Sequence, residues 1–452
     1  MGRMQSEMSY RKTLLYLYSL TNYEERGFAA YAPEFYNLDR MRYLLSLLGD
    51  PHRAYRVVHV AGTKGKGSTT VMIESILSAA GQRTGIYTSP HLHTFRERIK
   101  AHGQLITEAD VVRLITLIRP LADQIQGITT FEVMTGLAMA WYAEQEVDWV
   151  VLEVGLGGRL DATNVVTPAV SVITSLSRDH TVILGDTVAE IAAEKAGIIK
   201  PGVPTVTAPQ PAEALAVIRD VCREQRAPLT VVGNAWEWEA GPADLEGQHF
   251  SLHGPVDALE GLWIPLLGGY QLTNAATAVA AVRALESAGL RIPEEAIRAG
   301  LRAVRWPGRF EILSRSPFLV VDSAHNGDSA RKLIAALQAY LEFGHLTVII
   351  GVSSDHATPE LFSALLVSAD RGIATQSHHP RAASSPWLQE RAAELGFAIE
   401  TTASVEEALQ LALADAGPDD LICCTGSVFA VAEARAAWFA WQGMEVPPTD
   451  PF

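Results

Sequence analysis

Near-continuous Val/Ile runs alternating with helix-period segments constrain this chain more than any other feature. "YRVVHVAG", "RTGIYTS", "DWVVLEVG" and "AVSVITS" carry apolar side chains on successive residues, not on every second one. Such strands must be covered on both faces, which is the environment of a parallel sheet between two helix layers. The segments between them fit that layer: a helix from about Ser68 to Ala80, "TEADVVRLITLIRPLADQI" opening on a Thr cap, and the more apolar "FEVMTGLAMAWYAEQ". Residues Pro228 to Pro265 break the pattern with Trp, Gly and His and read as a small β-rich excursion. Two helices follow, "QLTNAATAVAAVRALESAG" and "PEEAIRAGLRAV".

A second series begins after "RWPGRFEI". Its strands are "FLVVDSA", "LTVIIGV", "RGIATQS", "FAIETT" and "LICCTGS", separated by helices such as "SARKLIAALQAYLEF" and "SVEEALQLALADAG". This alternation predicts one doubly wound domain. The boundary is expected between Arg302 and Arg309, giving units 1–303 and 304–452. The tail "GMEVPPTDPF" is expected to fray.

Composition excludes several classes. The 452 residues are 48% hydrophobic and 19% charged, as in a folded protein with a large core. No apolar run reaches the roughly 18 residues of a membrane span, and the N-terminus lacks the pattern of a signal peptide. "MGRMQS" matches a myristoylation pattern in form and is read as a chance match. Cys222, Cys423 and Cys424 have neither disulfide-framework nor metal-site spacing, so a reducing, cytoplasmic setting is expected, with no membrane partner. The net charge of −15 argues against nucleic-acid binding. An anionic substrate must then be met by local lysines, arginines, helix N-termini or metal.

"VHVAGTKGKGSTT" lies where a strand passes into a helix, the context of a phosphate-binding loop. It departs from the G-x-x-x-x-G-K-[ST] spelling: Gly67 separates Lys66 from Ser68, and Val60 stands in place of the first Gly. Gly62, Gly65 and Gly67 allow a tight path and close approach of an anion. Successive N–H groups of Thr63, Lys64, Gly65 and Ser68–Thr69 lie at the helix entrance. Lys66 is placed to neutralise terminal phosphates, whereas Lys64 reads either as a second phosphate contact or as a solvated lysine. An ordinary strand–turn–helix junction has no reason to concentrate these glycines and lysines.

Three further sets follow strands. Glu153 ends "DWVVLEVG", where ligands bind in parallel sheets; a carboxylate there holds the Mg²⁺ of a nucleotide or merely caps a loop, and position leaves both open. Asp179-His180 follows "AVSVITS" on the same edge. Lys195, late in "TVAEIAAEKAGI", reads from spacing as a last-turn lysine complementing the helix dipole. Around the expected domain joint stand Gln271 and Asn274, Arg309, and Asp322, His325 and Asn326. They suit a base, a phosphate and a ribose, and each also suits an ordinary cap or turn.

Together these residues resemble the folylpolyglutamate synthase family, often bifunctional with dihydrofolate synthase, of the Mur ligase superfamily. The motifs are "HVAGTKGKGST", "YTSPHLHTFRERI", "LEVGLGGRLDATN", "SRDHTVILGDTVAEIAAEKAGI", "LLGGYQLTNAATA", "WPGRFE", "DSAHN" and "CTGSVFAVAEAR", in the family's order over almost the whole chain. The resemblance implies an α/β protein with an N-terminal P-loop ATPase domain and a smaller C-terminal Rossmann-like domain. It implies ATP-driven ligation of L-glutamate to a folate or dihydropteroate carboxylate through an acyl phosphate. By the same resemblance Ser89, Glu153 and His180 fall on metal positions for two Mg²⁺. Lys195 falls on a lysine that carries CO₂ as a carbamate. ATP contacts fall on the loop, Asn274, Arg309, Asp322 and His325. Lys66, Lys195 and His180 are the expected catalytic set, and a monomer is expected. "NYEERGFAAYAPEFYNLDRMRYLLSLLG" resembles a region that contacts the pterin.

The sequence departs from the family pattern at Lys64, where Asn is usual, at Tyr270, Ser323 and Arg178, and in "GVSSDH". Two other readings fit the residues less well. An amino-acid ligase acting on a cell-wall nucleotide precursor lacks reason for "SPHL" and "LEVGLGGRLDATN". A non-catalytic ATP-binding module lacks reason for Lys66, Glu153, His180 and Lys195 together.

Overall fold

The computed structural model describes residues 9–21, 37–255 and 257–450. All of "NYEERGFAAYAPEFY" and all of "MGRMQS" lie outside them.

The first sheet has eight strands. Six are parallel, in the order Thr84–Tyr87, Trp149–Glu153, Arg56–Ala61, Val170–Ile173, Thr205–Thr207 and Leu229–Val231. An antiparallel hairpin, Ile99–Ala101 and Gln104–Leu105, extends the Thr84–Tyr87 edge. The central strands are buried along their length, which is why their sequences are apolar without alternation. Val58, Val60, Val151 and Val172 pack on one face with Met72, Ile73 and Ile76 of helix Lys66–Ala79. Each fully buried side chain of this size contributes about 1.5–3 kcal/mol. The opposite face packs on helices Glu108–Ala122 and Thr130–Glu144. The Thr107 cap agrees with the sequence, and Thr129 caps the second helix as well.

The β-rich excursion is a three-stranded antiparallel sheet, Glu237–Ala243, Gln248–His253 and Ala258–Ile264. It covers the alanine-rich helix Gly269–Ala284, whose small buried side chains let it lie close against Lys66–Ala79.

The second lobe has a six-stranded sheet, not the five strands expected. Phe318–Val321, Leu421–Thr425, Leu346–Ile350, Arg371–Ala374 and Glu400–Thr401 are parallel. Glu311–Arg315 adds an antiparallel edge. That edge strand is only half-buried and bulged, so it lacks the apolar run by which the others were legible. Among the described residues no helix is long and apolar enough to cross a membrane.

The tail is a correction. Asp450 accepts hydrogen bonds from Tyr10 Oη at 3.0 Å, Thr94 Oγ1 at 2.8 Å and Phe95 N at 2.8 Å. At Asp450 the tail is therefore docked on the first lobe, not frayed.

Candidate active site

The C-terminal edges of both parallel sheets face one cleft of about 960 Å³, where ligands bind in open α/β folds. The loop after Arg56–Ala61 forms its floor. Gly65 has φ 86° and opens helix Lys66–Ala79; a Cβ there would collide with Asn274 Oδ1. Gly67 lies under the linker, since a Cβ would stand 2.7 Å from Trp306 Cζ2. The residue that breaks the Walker spelling is thus the one on which the indole rests.

Lys66 Nζ folds back on the Gly62 carbonyl at 3.1 Å and lines the cleft with Thr63, Gly65 and Ser68. Thr69 is buried beneath the loop, and its side chain does not line the cleft. Lys64 turns the other way. Its Nζ lies 2.8 Å from Asp179 Oδ2 and 3.1 Å from His325 Nε2, so it joins the two lobes. Asn326 Nδ2 adds a donor to Asp179 at 3.3 Å. His325 Nδ1 is 2.9 Å from the Ser323 carbonyl. A carbonyl only accepts, so Nδ1 carries the proton and Nε2 accepts from Lys64. The Lys64 cation and burial hold His325 well below the usual histidine range. Burial would raise the Asp179 carboxyl, but Lys64 and the neighbouring histidines outweigh it and hold the group well below the carboxylate range.

Glu153 ends its strand in a buried position and accepts from Ser89 N at 3.1 Å. Desolvation pushes it up to about 7, against Lys66 and the Ser89 amide. His180 sits in a left-handed conformation, φ 50°, at the head of a short helix. Burial lowers it to about 4, so its ring is neutral. Lys195 stands in the last turn of helix Val188–Ala196, as spacing suggests, but its side chain is turned inward. It is buried beside a recess lined by Gly62, Lys66, Leu156, Asp179 and His180. Desolvation, then Lys66, lowers it to about 7.

From the second lobe, Arg309, Asp322 and His325 all line the cleft with Asn274. Asp322 is buried with both oxygens engaged, Oδ2 by Phe310 N at 2.8 Å and Oδ1 by Ala324 N at 2.9 Å. It fastens the linker to the sheet of its lobe.

The sequence did not point to several cleft residues. Trp306 lay inside a quoted motif but had no pattern of its own. Arg40 and Glu132, paired at 3.1 Å beside Phe131, are far apart in the chain. His356, in the departing "GVSSDH", packs edge-on between His180 and His325 at 5.9 and 5.1 Å.

Residues 60–282 match the Mur ligase middle domain and residues 308–428 the Mur ligase glutamate ligase domain. A Bacillus subtilis dihydrofolate synthase/folylpolyglutamate synthase is 35% identical over 408 residues, covering 88% of this chain and 94% of the relative. The chain belongs to the folylpolyglutamate synthase/dihydrofolate synthase family of Mur ligases. A probable bifunctional folylpolyglutamate synthase/dihydropteroate synthase of Haloferax volcanii is 36% identical over 95% of this chain, which spans 51% of that longer relative. Among solved members of the family, Escherichia coli FolC in complex with DHPP and ADP has a TM-score of 0.85 and 34% identity. The match covers 95% of this chain and 98% of that one.

Proposed function

We propose that this chain is an ATP-dependent ligase that joins L-glutamate to the carboxylate of a folate, of dihydropteroate, or of both. The observation that carries this reading is the meeting of Lys66 and buried Glu153 in one cleft between two lobes, with buried Lys195 in the adjoining recess that Lys66 also lines. The DHPP and ADP held by the E. coli relative support the same substrates here.

The substrate carboxylate attacks the γ-phosphorus of ATP, the bond to the β-phosphate oxygen breaks, and ADP leaves an acyl phosphate. The glutamate amine then attacks the acyl carbon, loses a proton, and phosphate departs. Lys66 spreads the negative charge of the moving phosphoryl group. Loop amides and the helix entrance orient the phosphates. Asn274 and Arg309 contact the nucleotide from the walls. The unit 1–303 carries the ATP machinery, and 304–452 closes over it and excludes water from the labile acyl phosphate.

Among the described residues no group of three or more His, Cys, Asp or Glu is placed to hold a metal by itself. The donor set fits Mg²⁺ of a nucleotide, which takes one or two protein oxygens and completes its shell with phosphate and water. Glu153, a carboxylate that burial raises to about 7, is the first such donor, with Ser89 beside it. His180 stands by a second position. Bound there, Mg²⁺ supplies charge neutralisation on the phosphates. The lowered Lys195 amine is neutral in a large share of molecules near pH 7 to 8, as capture of CO₂ requires: the neutral amine forms an N–C bond, loses one proton, and becomes an anionic carbamate. Lys64 is the tie between lobes, leaving the phosphate role to Lys66.

Incubation with Mg-ATP, L-glutamate and either dihydropteroate or tetrahydrofolate tests the assignment. Phosphate release that needs a pteridine is expected. Release only with a muramyl nucleotide, or ATP binding with no release for any acceptor, overturns it in favour of a cell-wall ligase or a binding module.

A further inference from the structure

The segment after the last helix returns to the opposite lobe. Helix Val428–Trp441 ends at Gly443, φ 64°, with Gly443 N and Met444 N donating to Ala440 O and Phe439 O at 3.2 and 2.9 Å. This closure satisfies the last carbonyls and turns the chain off the helix axis. Residues 444–449 then run mostly exposed, with Pro447 and Pro448 near the end. The prolines fix φ and reduce the entropy lost when the end is held. Asp450 Oδ1 accepts from Tyr10 Oη and Thr94 Oγ1, and Oδ2 from Phe95 N.

The element it grips is the loop that carries Ser89. That loop leaves strand Thr84–Tyr87, passes Ser89, turns through the short helix Phe95–Arg98 and returns as Ile99–Ala101. Glu97 gathers the Leu92, His93 and Thr94 amides at 2.8, 3.0 and 3.2 Å, so the span from Leu92 to Glu97 moves as a unit. One end, Ser89 N, meets Glu153. The middle touches the second lobe: Leu92 packs on its core, and His93 Nε2 lies 3.2 Å from Arg435. The far end is held by Asp450.

We infer that Asp450 is a positioning residue. Through Thr94 and Phe95 it fixes the Ser89 loop against both lobes and so sets the geometry at which Mg-nucleotide meets Glu153. The kinetic part rests on the ligase reading; the mechanical part does not. The experiment compares wild type with Asp450→Ala, Asp450→Glu and Tyr10→Phe, well below each melting temperature. Amide exchange is followed on the peptide spanning 89–98, and KM for Mg-ATP in ligation is measured. Should the wild type ligate no acceptor, Kd for Mg-ATP replaces KM. For Asp450→Ala, exchange at Phe95 is expected to quicken by about tenfold, with a several-fold rise in KM. Asp450→Glu restores part of both. Tyr10→Phe keeps the two loop bonds and leaves KM unchanged. Unchanged exchange in Asp450→Ala overturns the inference. Faster exchange with unchanged nucleotide affinity also overturns it, reducing Asp450 to a structural tie. So does a Tyr10→Phe variant that matches Asp450→Ala, since the anchor would then be the first helix and not the loop.

Discussion

Lys64 Nζ stands 2.8 Å from Asp179 Oδ2, with their side chains 17% and 8% exposed. A lysine inside a phosphate loop thus directs its charge at a carboxylate and at His325 across the cleft. Neutral Lys64→Met leaves Asp179 buried without its partner, which costs about 3 to 5 kcal/mol. Urea denaturation measures it. A loss under about 1 kcal/mol, the size of an exposed ion pair, contradicts the buried tie.

Lys66→Ala is expected to do the opposite. Its ammonium hydrogen-bonds a loop carbonyl and no buried carboxylate among the described residues, so stability holds while kcat falls by about 10²- to 10³-fold, the scale of one lost charge-stabilising donor. Phosphate release and a melting curve on the same sample separate the two variants. Wild-type turnover in Lys66→Ala removes it from the reaction.

Lys195→Ala is expected to lose most activity and to regain part of it with added small carboxylic acids, which place an anion where the carbamate would stand. Full activity without additive, or no response to any acid, counts against the carbamate.

Glu153 gives a pH signature. Its folded value of about 7 lies above the ordinary 4.5, so the native state holds more protons than the unfolded chain between those values. Its contribution to stability is complete below about 4.5 and is lost as pH rises through 7. Mg²⁺ with a non-hydrolysable ATP analogue favours the ionised form, so the gain in Tm should be larger at pH 8 than at pH 6. In Glu153→Gln that pH dependence should vanish. Equal gains at both pH values argue against a metal at Glu153.

Gly67→Ala forces the Trp306 ring aside, because the new Cβ falls 2.7 Å from it. Such overpacking costs about 1–3 kcal/mol. Trp306→Leu in the same chain should recover part of that stability. If the two effects simply add, ring and loop are not in contact.

Sequence and structure agree most where a local pattern decides the outcome. Glu153 and His180 were visible because they end or follow unbroken apolar strands, and Lys66 because glycines surround it at a strand–helix junction. Spacing places Lys195 in a last helix turn, where it stands, but one turn cannot reveal that Gly158 packs on its backbone and that its side chain is buried in the recess. Lys64 stayed open because its partners lie in distant segments and one belongs to the other lobe. The Glu311–Arg315 edge strand and the docking of Asp450 were missed for the same reason: both are decided by remote partners.

Trp306 belongs to the stretch between the two sheets, and its indole rests on Gly67 of the phosphate loop. Whatever lifts or flattens the loop therefore presses on a residue of the segment that joins the lobes. The indole is thus an optical gauge of the loop beneath it.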